Sequence, residues 1–167
     1  MALFFPPSAM STLYKSYVRP TLEYSIPVWF YSLTVQDQDS MSMLQASGAR
    51  EDLAAKLKRK PDWMTPKENL NQRAGWEAIK WRLQILSLCY FHHIVYTFPS
   101  VLFDFKFRFS SSSLHPKSLV LPPTGNYMYF AKSFLFLIAV AWNKLPADIR
   151  SLDSPTLFNC QVRKLYE

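Results

Sequence analysis

Four groupings of side chains in this chain of 167 residues could carry chemistry: His92-His93, the aspartates Asp37 and Asp39, the cysteines Cys89 and Cys160, and a basic run interleaved with tryptophans. Neighbouring side chains on a helix diverge by about 100°, so His92 and His93 cannot chelate one ion together and are expected to be structural. Two-metal phosphoryl transfer needs clustered carboxylates, and Asp37 and Asp39 are the closely spaced aspartate pair. No hydrophobic hairpin surrounds Gln36 and Ser40, so the two aspartates read instead as helix-capping residues. Cys89 and Cys160 lie far apart without metal-ligand spacing, which excludes a zinc site or a disulfide framework and fits a reducing compartment. His115 beside Pro116 is isolated, and no serine or cysteine has the context of a nucleophile. With glycine only at Gly48, Gly75 and Gly125, the dinucleotide and P-loop cradles are excluded too. No catalytic residue, metal ligand or cofactor is expected.

The remaining chemistry is cationic. The formal charge is +7, with residues 1–49 carrying a net −1, residues 50–82 a net +4 and residues 83–167 a net +4. The densest stretch is Lys56, Lys58, Arg59 and Lys60, followed by Lys67, Arg73, Lys80 and Arg82, with Trp63, Trp76 and Trp81 between them. Cations at this density can neutralise phosphates, and an indole can stack on a base. The candidate nucleic-acid contacts are therefore Lys56, Lys58, Arg59, Lys60, Arg73, Lys80 and Arg82, with Trp63 or Trp76 as stacking platforms. The same residues also read as a solvated helix face with its tryptophans in the core.

These residues must be positioned by a folded chain, because 49% of the sequence is hydrophobic and only 19% charged. The length allows one domain at most. Ser8 is expected to cap a first helix with Met10, Leu13, Tyr14, Tyr17 and Val18 on its buried face and a break between Arg19 and Pro27. Asp39 or Ser40 should cap a second helix ending near Lys60-Pro61, in which Gly48 costs about 1 kcal/mol relative to alanine. Thr65, Pro66 and Glu68 form a capping-box pattern, opening a long helix through Leu70, Ala74, Ile79, Leu83, Leu86, Tyr90 and Ile94 to Phe98-Pro99.

Phe103, Phe105, Phe107 and Phe109 then alternate with charged residues, which predicts a strand, and residues 119–121 and 127–130 predict two short ones. A short buried helix is expected over residues 134–142. Asp153-Ser154-Pro155 should cap a last one with Leu157, Phe158, Val162 and Leu165 on one face. The predicted class is mainly α, a helical bundle over residues 1–98 with a small irregular β-containing region, 99–167, packed on it. No signal peptide is expected, because the apolar start lacks a basic region and is interrupted at Pro6-Pro7. No membrane span is expected either: residues 83–104 contain Gln84, His92, His93 and Pro99, and residues 133–143 fall well short of about 20 residues.

The string Leu13-Tyr14-Lys15-Ser16-Tyr17-Val18-Arg19-Pro20-Thr21-Leu22-Glu23-Tyr24, followed by Val28-Trp29, resembles a family pattern. It is similar to the segment after the palm in reverse transcriptases of non-LTR (LINE-like, jockey-type) retrotransposons, Leu-Tyr-x-x-x-Val-Arg-Pro-x-Leu-Glu-Tyr and then Val-Trp. Leu44-Gln45 resembles part of the next helix of that family, and Phe91-His92-His93-Ile94-Val95-Tyr96 stands at its aromatic-Lys-Ile-like stretch. Ser133-Phe134 and Trp142-Asn143-Lys144-Leu145-Pro146-Ala147-Asp148-Ile149-Arg150 resemble its Ser-Phe and Trp-Asn-x-Leu-Pro signatures.

The resemblance implies that residues 1–98 are thumb-like, from a bundle that holds a template–primer duplex beside the palm. It also implies that the Ala-Asp-Asp catalytic hairpin lies upstream of the first matching residue. The chain would then be a reverse-transcriptase fragment without catalysis of its own and with an RNA or DNA backbone as partner. Phe136, Leu137, Ile138 and Val140 depart from the pattern, since many relatives keep basic or proline residues there, and Ser25 stands where relatives often have cysteine. The alternative is an interaction protein with no nucleic-acid role, exposing Leu3, Phe4, Phe5, Val28, Trp29 and Phe30 to another chain or to a second copy of itself.

Overall fold

The computed structural model describes residues 7–24, 29–30, 33–111, 117–121 and 133–166. The chain is mainly helical, with a two-stranded antiparallel sheet among the described residues, as the apolar spacing predicts. It divides into two compact units, Met1–Ile26 with Leu33–Leu83 (unit 1) and Pro27–Ser32 with Gln84–Glu167 (unit 2). The division falls inside a helix, whereas the change of sequence texture after residue 98 marks that helix's end.

Unit 1 opens with α1, Pro7–Leu13, so Ser8 lies within the first turn and not ahead of it. One π-helical turn, Tyr14–Val18, leads into α2, Arg19–Glu23. Pro20 has no N–H, yet the backbone stays helical through Val18 and Arg19, and the proline stands directly after the widened turn, where the regular hydrogen-bond ladder is already interrupted. The widened turn lets the Arg19 N–H donate to the Tyr14 carbonyl. The helix ends at Tyr24, where the backbone becomes extended, within the stretch predicted to break.

The second long helix, α3, runs Val35–Leu57 and is capped by neither Asp39 nor Ser40. Thr34 caps it. The Asp37 N–H donates to Thr34 Oγ1 at 3.1 Å and the Thr34 N–H donates to the Asp37 carboxylate at 3.0 Å, a reciprocal pair that satisfies two otherwise orphaned donors. The capping role assigned to the aspartates thus belongs to Asp37. Gly48 permits a close approach within this helix: a Cβ there would lie 3.3 Å from the Trp76 ring, which stacks on Tyr14 at 4.0 Å between centroids.

The long helix predicted from Thr65 is two helices. Thr65 does not cap the first, α4, Lys67–Ala74; the residue before its first turn is Pro66, and no side chain caps it. Gly75, at φ 69°, then turns the chain left-handed, with its N–H donating to Gln72 O and the Trp76 N–H donating to Asn71 O. A left-handed C-terminal residue ends a helix, and glycine adopts that conformation without a Cβ clash. The apolar spacing runs across this break because α4 and α5, Ile79–Thr97, each bury one face: Leu70 and Ala74 in the first, Ile79 and Leu83 in the second.

Unit 2 contains the rest of α5, then α6, Pro99–Asp104, where a strand was predicted to begin. Only Arg108–Phe109 is extended, as β1, pairing antiparallel with β2, Leu119–Val120. Proline at the start of α6 favours a helix, and the buried pair is Leu102 and Phe107 while Phe103 and Phe105 are exposed. The alternation of phenylalanines therefore does not track burial. The strand predicted at residues 127–130 lies outside the described residues. The helix predicted at 134–142 is α7, Phe134–Asn143, capped by Ser133, and is followed by α8, Ala147–Arg150. The last helix, α9, Pro155–Tyr166, buries Phe158 and Val162 as expected but leaves Leu157 and Leu165 exposed. The core of unit 2 gathers Phe91, Leu102, Phe107, Ile138, Trp142 and Phe158.

Candidate nucleic-acid interface

In unit 1 the carboxylates decide which cations remain available. Arg82 is held between two of them: its Nε and Nη2 donate to Glu23, and its Nη1 lies 3.2 Å from Glu77. Its side chain is only 16% exposed, and the Glu23 hydrogen bonds raise its pKa above the ordinary arginine value against the opposing effect of burial. Arg19 adds a second cation to Glu23 at 3.4 Å. Lys56 lies 2.6 Å from the fully buried Asp52, and Lys67 lies 2.6 Å from Asp39. Of the expected phosphate contacts, Lys56 and Arg82 are therefore engaged in holding the fold.

Lys58, Arg59, Arg73 and Lys80 are exposed and have no carboxylate partner among the described residues. Lys80 Nζ instead sits 5.5 Å from the Trp81 ring centroid. Lys60 pairs with Glu51 at 3.4 Å, but both side chains are largely in water, where such a pair contributes about 0–1 kcal/mol and exchanges readily. The structure thus brings Lys58, Arg59 and Lys60 together in one loop, while Arg73 lies in the last turn of α4 and Lys80 in the first turn of α5.

That loop, residues 58–66, is ordered by its own hydrogen bonds. It leaves α3 through Lys58 in a left-handed conformation, φ 52°. Arg50 Nη2 on α3 donates to the Trp63 carbonyl at 3.0 Å. Asp62 organises the tip, accepting the Met64 N–H on Oδ1 at 3.2 Å and the Thr65 N–H on its carbonyl at 3.0 Å. The turn holds Trp63 in water, 78% exposed. Trp76, the other proposed platform, is 6% exposed in the stack with Tyr14, and so cannot meet a base. Burial in this cluster also raises the pKa of the Tyr14 hydroxyl.

Several residues of the strings quoted above hold together elements within one unit or the other. In unit 1, Gln45 on α3 donates to Glu77 O at 2.7 Å and accepts from the Ile79 N–H at 2.8 Å, bridging the connection into α5. In unit 2, Asn143 brackets β2, donating to Leu119 O at 2.8 Å and accepting its N–H at 2.9 Å. Trp142 Nε1 donates to Lys117 O at 2.8 Å, and buried Arg150 donates to Asn143 O at 2.9 Å. His92 is structural, as its neighbour geometry predicts. Its Nε2 lies 2.7 Å from Leu152 O, its ring stacks on Tyr96 and Phe158, and burial lowers its pKa.

The sequence offered a faint signal for Gln45, a polar residue inside an apolar stripe, and none for the bracket made by Asn143. Of the apolar surface expected to be exposed, Phe30 is buried, Trp29 is half-buried, and Leu3, Phe4, Phe5 and Val28 lie outside the described residues. Among the described residues no group of histidine, cysteine and carboxylate side chains could hold a metal ion, and no helix is long and apolar enough to cross a membrane. Comparison with protein-family models, with curated proteins and with solved structures finds no match to the chain.

Proposed function

We propose that the chain is a thumb-region piece of a retrotransposon-derived RNA-directed DNA polymerase, without catalysis of its own, whose unit 1 binds RNA or DNA backbones. The strings at residues 13–24 and 142–150 support the derivation. The binding role rests on one observation: Lys58, Arg59 and Lys60 share an ordered loop, and among the described residues no carboxylate engages the first two. Clustered cations of this kind release condensed counterions when phosphates replace water around them. Filter binding at low salt tests the role. Retention of RNA or DNA by the full chain, lost on Lys58→Glu, Arg59→Glu and Lys60→Glu together, is the expected result; no retention, or retention that survives the charge reversal, contradicts it.

A second reading, self-association without a nucleic-acid role, draws on the exposure of Tyr17, Tyr24 and Val35 in unit 1. Oligomers on a sizing column that ignore salt would favour it.

A further inference from the structure

We infer that the loop of residues 58–66 selects unpaired over paired nucleic acid, with Trp63 as the platform for one base and Lys58, Arg59 and Lys60 holding the neighbouring phosphates. This rests on the backbone-binding reading above and deepens it. The tip is built to present the indole: Arg50 pins the Trp63 carbonyl, Asp62 closes the turn from both its side chain and its backbone, and the ring itself stays in water. An exposed large aromatic on an ordered turn loses hydration without losing chain entropy when a flat partner covers it. Lys58 precedes Trp63 by five residues, so their backbones are at most about 18 Å apart, within the reach of one short oligonucleotide.

The geometry separates this partner from two others. In a duplex the base faces are covered by their neighbours, so a duplex would use the cations and leave the indole idle, whereas a single strand offers both phosphates and open base faces. An anionic membrane surface would need an apolar face larger than Trp63 and Met64, and Asp62 places a carboxylate in the same turn.

The test compares binding of the full chain to oligothymidylate, to a hairpin duplex of equal charge and to phosphatidylserine vesicles, for wild type, Trp63→Ala and Trp63→Phe. Trp63→Ala is expected to weaken oligothymidylate binding about tenfold, as loss of one base–aromatic stack does, and to leave duplex binding unchanged. Trp63→Phe should keep most of the affinity. All three proteins should melt within a few degrees of one another, since Trp63 is 78% exposed. If both nucleic acids bind and Trp63→Ala changes neither, the stacking inference falls while backbone binding stands. If neither nucleic acid binds, the underlying reading falls and this one with it. Vesicle binding that depends on Trp63, without oligothymidylate binding, would assign the loop to membranes and overturn the inference.

Discussion

Each unit has its own apolar cluster, and the two differ in the size of that cluster and in the contacts around it. Unit 1 has a small apolar cluster of Ala46, Ala49, Leu53, Leu70 and Ala74 around the stacked Tyr14–Trp76 pair, and adds to it the Thr34–Asp37 box, the Gln45 bridge, and ion pairs that engage Arg82, Lys56 and Lys67. Unit 2 has a larger apolar interior, in which Trp142 meets Phe91 and Phe158 with His92 stacked alongside, and hydrogen bonds such as the Asn143 bracket on β2 fasten its edge. The contrast shows where a binding surface can arise. In unit 1 the carboxylates meet a definite subset of the cations, and the ones left over, Lys58 and Arg59 above all, are those the fold does not need.

Breaking the interior of unit 2 should have the largest effect. Trp142→Ala removes a fully buried indole and its hydrogen bond to Lys117 O, and is expected to cost about 3–5 kcal/mol in urea denaturation. Breaking the polar stitching of unit 1 should cost less. Gln45→Ala removes the hydrogen bond to the Glu77 carbonyl and the acceptor of the Ile79 N–H, a loss of about 1–3 kcal/mol, with faster amide exchange at Ile79 as its local signature.

A third prediction concerns pH. Burial lowers the folded pKa of His92, with the Leu152 carbonyl and Asp153 opposing and His93 assisting, so the unfolded chain takes up the proton first as pH falls. His92 therefore contributes stability that is present above about pH 6.5, its unfolded value, and is lost on acidification through the folded value. Denaturation at pH 8 and pH 5 should show a larger acid loss for wild type than for His92→Gln, which keeps a donor for Leu152 O. Equal losses would contradict the assignment. The smallest effect is expected for the loop: neutralising Lys58, Arg59 and Lys60 together with glutamine should shift the unfolding free energy by less than about 1 kcal/mol, because exposed charges contribute little to folding.

Much of this architecture was legible because it depends on local spacing. The apolar stripes placed the helices that bury Tyr14, Leu53, Ile94 and Phe158, and Ser154 marked the start of the last one, but Leu13, Tyr17, Val18 and Tyr90, expected on buried faces, are exposed. What escaped depended on competition between neighbouring signals. Thr34 and Asp37 outcompete Asp39 and Ser40 because only the former pair can exchange hydrogen bonds across the first turn. Gly75 stops a helix that the apolar periodicity carries straight through, since two successive helices burying one face share a period. The phenylalanines at 103–109 alternate in type but not in burial, and Pro99 decides for a helix. For the candidate site, the sequence placed the cations in order but could not tell which of them meet carboxylates. Lys56 and Arg82 are removed by contacts with Asp52, four residues away, and Glu23, on a separate helix.

The central claim, that the unengaged cations of unit 1 form the binding surface, is tested most directly by the salt dependence of oligothymidylate binding in two triple variants of equal charge. One neutralises Lys58, Arg59 and Lys60; the other neutralises Lys106, Lys144 and Lys164, exposed cations of unit 2. The expected result is that the first lowers the slope of log K against log salt by about 2, at about 0.7 per lost phosphate contact, while the second leaves it unchanged. Equal changes from both variants, or a slope near zero for the unaltered chain, would contradict it.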